Sequence, residues 1–136
     1  MGVDNPLIEF RLDVRSGVPT YLQLVQQVKQ ALRLGILQPG DQLPTVKEVV
    51  AQLAINPNTV LKAYRELDRD GVTEGRRGLG TFISDDQPAN MPGDYSALQS
   101  ALLRWIDRAR KAGLDDESIA ALVAATVHAA FFEEAA

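Results

Sequence analysis

The side chains able to do chemistry in this 136-residue chain are mostly cationic or hydrogen-bonding, and they gather in two short runs. In the first, Asn58, Lys62, Arg65 and Arg69 recur at helical spacing, with Thr59 and Leu61 at the flanks. On a helix that spacing puts them on one face. An asparagine amide matches the edge of adenine, and a lysine reaches guanine or phosphate. Arg65 and Arg69 lie further along and suit phosphate. In the second run Arg76 and Arg77 stand between Gly75 and Gly78, and arginine inserted into a narrow minor groove reads DNA shape. Each run also admits a plainer reading: a solvated helix face, given Glu66, Asp68 and Asp70 nearby, and a solvated surface turn.

Other chemistry has little support. The chain has no cysteine, which excludes disulfides and thiolate metal sites. Its one histidine, His128, does not make a metal site, and Asp115, Asp116 and Glu117 read more simply as the start of a helix. Neither metal nor cofactor is expected. Gly75, Gly78 and Gly80 fit a hairpin, not a phosphate-cradling loop. A carboxylate-only active site stays open, but no enzyme is expected.

The net charge of −4 hides an asymmetry. Residues 1–84 carry ten Lys/Arg against nine Asp/Glu, whereas residues 85–136 carry four against nine. The acid therefore sits in the C-terminal part, away from the cationic runs. No apolar run is long enough to span a bilayer and no signal peptide opens the chain, so a cytoplasmic protein with no membrane partner is expected.

The elements that position these runs are legible from caps and periodicity. Ile8, Phe10 and Leu12 alternate with polar residues and predict a short strand. Pro19 suits the first turn of a helix, in which Tyr21, Val25, Val28 and Leu32 recur and near whose end Gly35 lies. Residues 38–44 read as a turn. Thr45 and Glu48 form a capping box for a short second helix striped by Val46, Val49, Val50 and Leu53. Asn56-Pro57 starts a third helix, with Val60, Ala63, Tyr64 and Leu67 as its buried stripe and Gly71 as its stop. Two helices joined by so short a turn have the layout of a helix-turn-helix. Residues 72–74 and 80–83 then predict two strands, with the arginines at the hairpin tip. In a helix-turn-helix the start of the second helix enters the major groove. The order of capped helix, turn, polar-faced helix and arginine hairpin points to DNA more firmly than any one piece.

Residues 20–83 resemble the winged helix-turn-helix of the GntR family of bacterial regulators. The matching pieces are residues 21–24 (YLQL), 37–44 (LQPGDQLP), 56–60 (NPNTV), 63–67 (AYREL), Gly71 and 78–83 (GLGTFI). The Asn-Pro-Asn-Thr-Val run, the Arg-Arg-Gly-x-Gly-Thr-Phe wing and the short C-terminal appendage resemble the YtrA subfamily. The resemblance implies that Lys47 holds phosphate at the second helix. Where many members carry arginines at the start of the recognition helix, Pro57 and Leu61 stand here, so those contacts do not carry over. Base readout is expected from Asn58, Thr59 and Lys62. The candidate DNA-binding residues are Thr45, Lys47, Asn56, Asn58, Thr59, Lys62, Arg65, Arg76, Arg77 and Gly78.

Residues 85–94 read as a polar linker. Two helices follow, the first striped by Leu98, Leu102, Trp105 and Ala109 and ended by Gly113, the second capped by Asp115 with Leu114 and Ile119 as a hydrophobic staple. From Ile119 to Phe132 only Thr126 and His128 are not apolar. A helix apolar on nearly every side must be buried on several, and one partner helix cannot cover it. A second subunit would, giving a two-fold bundle with Leu98, Leu102, Trp105, Leu122, Val123, Val127, Phe131 and Phe132 at its seam. The alternative is that these helices pack back on the winged domain.

The expected architecture is mainly α with a small β-hairpin: a winged helix-turn-helix (1–84), a linker (85–94) and an antiparallel two-helix dimerisation appendage (95–136). The expected function is a repressor acting as a homodimer on an inverted-repeat, double-stranded DNA operator, with release by a small effector of unspecified chemistry. A winged helix used for protein contact alone is the competing reading. The resemblance further implies control of a neighbouring transporter operon and of the regulator's own promoter.

Overall fold

In the computed structural model, the structure describes residues 8–89 and 95–133. The chain divides between residues 93 and 94 into two compact units.

The first unit is built on three helices. Helix α1 (Thr20–Arg33) begins at Pro19, whose carbonyl accepts from the backbone N–H groups of Leu22 and Gln23 at 3.0 and 3.1 Å. It ends where Gly35 takes φ 75°, which lets the N–H of Ile36 reach back to the carbonyl of Ala31 at 2.9 Å. Helix α2 (Val46–Leu53) carries the full capping box: the Thr45 hydroxyl accepts from the Glu48 N–H at 3.1 Å, and the Glu48 carboxylate accepts from the Thr45 N–H at 2.9 Å. Helix α3 (Pro57–Arg69) starts at Asn56, whose side chain accepts from the Asn58 N–H at 2.8 Å. Ala54, Ile55 and Asn56 alone join α2 to α3. Ala54 takes φ 54°, a left-handed conformation costly for any residue with a Cβ.

The predicted stripes point inward. Val60, Ala63, Tyr64 and Leu67 of α3 are all buried, against Leu24, Val25, Val28, Leu37, Val49 and Ile83. Fully burying one such aliphatic side chain stabilises the fold by about 1.5–3 kcal/mol.

Strands β1 (Thr73–Arg76) and β2 (Gly80–Ile83) pair antiparallel, with Thr73 opposite Ile83 and Arg76 opposite Gly80. The first strand runs further than residues 72–74, so the connection is only Arg77-Gly78-Leu79. The Leu79 N–H donates to the Arg76 carbonyl at 2.9 Å and Gly78 takes φ 77°, which matches a type II turn. The stretch expected only to turn, 38–44, also extends the sheet. Gln42 bridges Phe82, and the N–H groups of Leu43 and Ile83 donate to Thr81 and Asp41 at 2.9 and 2.8 Å.

The strand predicted over Ile8–Leu12 does not form. Ile8 and Phe10 are buried and Leu12 half-buried, as alternation requires, but no neighbouring strand pairs with them. Two glutamine side chains of α1 take the place of that partner. Gln27 accepts from the Arg11 N–H at 2.9 Å and donates to the Arg11 carbonyl at 2.6 Å. Gln23 does the same for Asp13 at 2.8 and 3.0 Å, and also donates to Val18. After Ile83, residues 85–87 turn, and the Gln87 amide donates to the Gly71 carbonyl at 2.9 Å. Residues 90–94 of the expected linker lie outside the described residues.

The second unit is a helical hairpin. Helix α4 (Ser96–Lys111) closes at Gly113, φ 100°, where the Leu114 N–H reaches the Ala109 carbonyl at 3.1 Å. Helix α5 (Asp116–His128) starts at Asp115, whose carboxylate accepts from the Ser118 N–H at 2.8 Å. Hydrogen bonds from the Ser118 side chain and backbone hold the Asp115 carboxyl below its ordinary range. The α-helix expected through Phe132 ends at His128. It continues as a π turn (Ala129–Glu133), and the ring of Phe132 there lies 4.7 Å from that of His128. Among the described residues of this unit only Ala109 and Ile119 are buried.

Candidate nucleic-acid interface

Side-chain contacts tie α3 to the residue before α2, to the head of β1 and to α1. Tyr64 of α3 donates its hydroxyl to the Pro44 carbonyl at 2.5 Å, which ties α3 to the residue preceding the Thr45 cap. Burial, and then the nearby Glu48 carboxylate, push the Tyr64 phenol well above its ordinary pKa, so it stays a neutral donor. Thr73 at the head of β1 donates to the Asp68 carboxylate of α3, and Lys29 of α1 pairs with Asp70 at 3.0 Å. Thr45 and the hairpin residues Gly75–Thr81 line one shallow groove of about 650 Å³.

This frame brings most of the predicted residues into the open. Thr45, Lys47, Asn56, Asn58, Lys62, Arg65, Arg77 and Gly78 are exposed, and Thr59 is half-buried. Thr45 and Asn56 are engaged as caps through their side-chain oxygens, which leaves the Thr45 hydroxyl and the Asn56 amide able to donate beside each helix start. Among the described residues the side chains of Lys47, Asn58, Arg65 and Arg77 have no hydrogen-bond or ion-pair partner. Arg69 is drawn to Glu66 at 3.4 Å.

Two cations depart from their expected setting. Arg76 is not at the hairpin tip. It closes β1, half-buried, with its guanidinium 4.3 Å from the centre of the Phe82 ring. Glu74 and Asp85 hold it at 3.3 and 3.6 Å. Cross-strand pairing carried β1 two residues past Glu74, leaving Arg77 as the arginine of the tip. Lys62 has a partner that the sequence did not disclose: its ammonium lies 4.1 Å from the centre of the Tyr21 ring on α1. The two residues are far apart in the chain, and only the packing of α1 on α3 makes them neighbours.

The predicted seam residues divide. Leu98, Leu102, Leu122, Val127, Phe131 and Phe132 are exposed, and Trp105 and Val123 half-buried. Trp105 and Leu122 share a groove of about 560 Å³ with Arg108 and Lys111 at its edge. Val123 lines a different one with Ile106, which lies outside the predicted stripe, where Arg110 and Asp116 pair at 3.3 Å. Among the described residues no three His, Cys, Asp or Glu side chains gather to hold a metal.

A family profile described as "Bacterial regulatory proteins, gntR family" matches residues 20–83. The chain is 40% identical over 110 residues to the HTH-type transcriptional repressor YtrA of Bacillus subtilis (strain 168), covering 80% of this chain and 85% of that one. A solved structure titled as a transcriptional antiterminator from Listeria monocytogenes EGD-e superposes with a TM-score of 0.58 at 30% identity, over 88% of this chain and 90% of the other. YtrA from Sulfolobus acidocaldarius, a GntR-family transcription factor, superposes with a TM-score of 0.52 at 25% identity, over 86% and 95%.

Proposed function

Because this chain belongs to the GntR family of bacterial regulatory proteins, in its YtrA-like branch, we propose that it represses transcription as a homodimer on an inverted-repeat operator. It is a DNA-binding transcription regulator and not an enzyme. The finer reading rests on one observation above all. The start of α3 and the hairpin tip stand open on the same unit, with Asn58, Arg65 and Arg77 exposed and unpaired among the described residues.

In this reading residues 1–84 bind DNA and residues 95–136 dimerise. The first turns of α3 enter the major groove, where Asn58, Thr59 and Lys62 meet base edges. Lys47 and Arg65 neutralise phosphate, and Arg77 with Gly78 enters the adjacent minor groove. Arg76 serves the wing as a brace. The apolar residues open on α4 and α5 meet those of a second copy, which sets half-sites about one helical turn apart, or a multiple. Occupancy occludes polymerase. A small effector acts by changing the spacing of the two DNA-binding units. The reading puts the protein in the cytoplasm with its DNA; among the described residues no helix is long and apolar enough to cross a membrane.

The test is a gel shift and footprint on the DNA upstream of the protein's own coding region, at rising salt. The expected result is a protected inverted repeat, with affinity falling linearly in the logarithm of salt concentration as phosphates release counterions. No retardation of DNA even at low salt would overturn the reading in favour of protein contact alone, and binding without sequence preference would remove the operator. Asn58→Ala and Lys62→Ala proteins that bind as tightly and selectively as wild type would remove their assigned base contacts. A monomer at about micromolar concentration in sedimentation would remove the dimer.

A further inference from the structure

The exposed side of α3 is not uniformly polar. Leu61 is 39% exposed, whereas Val60 beside it is fully buried. A single exposed leucine is ordinary on a protein surface; what matters is where this one stands. Successive helix residues are about 100° apart. The buried stripe Val60, Ala63, Tyr64 and Leu67 therefore leaves Asn58, Arg65 and Arg69 along the middle of the opposite face. Leu61 lies between that middle and Tyr64, the residue whose hydroxyl holds Pro44 beside the Thr45 cap. Pro57, exposed one turn earlier, extends the strip towards the helix start. Lys62 lies to the other side, over the Tyr21 ring. The interface thus has a polar centre, a cation towards α1, and an apolar strip towards the start of α2.

A leucine side chain has nothing to offer a hydrogen-bonding base edge, and pressing it against one leaves polar groups without partners. The major groove presents one apolar group, the C5 methyl of thymine. We infer that Leu61, flanked by Pro57, reads a thymine methyl in each half-site and so selects an A·T pair there by apolar contact. This rests on the reading of α3 as the recognition helix. It also assigns a positive role to two positions at which no arginine contact is available.

The experiment selects binding sites from a random-sequence duplex library with wild-type, Leu61→Ala and Leu61→Gln proteins, each first checked for an unchanged melting transition. In the duplex that wild type selects, each thymine is then replaced in turn by deoxyuridine, which keeps every hydrogen-bonding group and lacks only the methyl. Wild type is expected to lose about fourfold in affinity at one position per half-site, the worth of one buried methyl. Leu61→Ala is expected to ignore that replacement and to select the position less strictly. Replacing the same pair by C·G should weaken wild-type binding, and 5-methylcytosine should restore part of it. Wild type that tolerates deoxyuridine at every position would overturn the inference, as would Leu61→Ala that keeps the full penalty, while leaving α3 as the recognition helix. Enrichment of no sequence at all would overturn that reading and this inference with it.

Discussion

The two units of this chain solve the same problem of burial in opposite ways. In the first, helix stripes, a hairpin and an N-terminal segment enclose one core in which Leu24, Leu37, Val49, Val60, Leu67 and Ile83 are fully buried. In the second, a hairpin of two helices buries Ala109 and Ile119 among its described residues and leaves Leu98, Leu102, Leu103, Phe131 and Phe132 largely open. Both sequences are rich in apolar residues, so composition does not separate them. The difference is geometric. A single-faced helix is satisfied by neighbours on one side, and α3 has them in α1, α2 and β1. A helix apolar all round, such as α5, cannot be enclosed by one antiparallel partner. The first unit encloses its apolar side chains, and the second leaves most of its own exposed among the described residues.

Leu67→Ala tests the self-sufficient side most severely. Truncating this fully buried residue should cost the first unit about 2–5 kcal/mol in urea unfolding. If the second unit dimerises as proposed, self-association should be preserved; its loss would mean that the two units are not energetically separate. Leu122→Asp tests the other side. A carboxylate on the exposed face of α5 should weaken self-association by about 2–3 kcal/mol in sedimentation, with the unfolding of the first unit unchanged. An unaltered sedimentation profile would show that this face is not the seam.

Gly80→Ala addresses the wing. Gly80 takes φ 125°, and a Cβ there would lie 2.8 Å from the amide nitrogen of Gln42, whose side chain donates to the Leu79 carbonyl. The substitution should cost about 1–3 kcal/mol of local stability, read as faster amide exchange in β1 and β2, and should weaken DNA binding by displacing Arg77. Unchanged exchange would mean that the hairpin accommodates the strain.

The smallest effects concern pH, and the two units should respond at opposite ends. Tyr64 has its folded pKa raised, chiefly by burial. Its contribution is complete below the unfolded value of about 10 and is lost as pH rises beyond it, because only the unfolded chain can then ionise. Tyr64→Phe should flatten that alkaline limb in the first unit and cost about 1 kcal/mol at neutral pH for the bond to Pro44. Asp115 has its folded pKa lowered by its hydrogen bonds with Ser118. Its contribution is complete above the unfolded value of about 3.9 and fades as pH falls through the lower folded value. Asp115→Asn, which keeps an acceptor, should remove the acid loss of α5 helicity. A limb that persists in either variant would assign it to other groups.

Much of the first unit was legible because its signals are local. The Thr45–Glu48 box, the Asn56-Pro57 start and the Gly35 and Gly71 stops each act within a few residues, so their spacing alone specifies a conformation, as Gly113 does in the second unit. The inward stripes follow from helical period in the same way. The left-handed Ala54 had no such signal, since nothing about an alanine marks it; the shortness of the turn imposes that conformation.

By itself, the sequence determined the caps, the stripes, the order of helix, turn, helix and hairpin, and the apolar character of α5, but not its end at His128. It could not determine which distant side chains become neighbours. Gln23 and Gln27 replacing a strand beside Arg11 and Asp13, Tyr21 beneath Lys62, Arg76 braced by Phe82 and Asp85, and Val123 lining a different groove from Trp105 were all decided by tertiary packing. Caps and periods are settled within one turn of chain. A charge brace, an aromatic platform or an uncovered face depends on contacts between segments far apart, and only the folded arrangement of those segments specifies them.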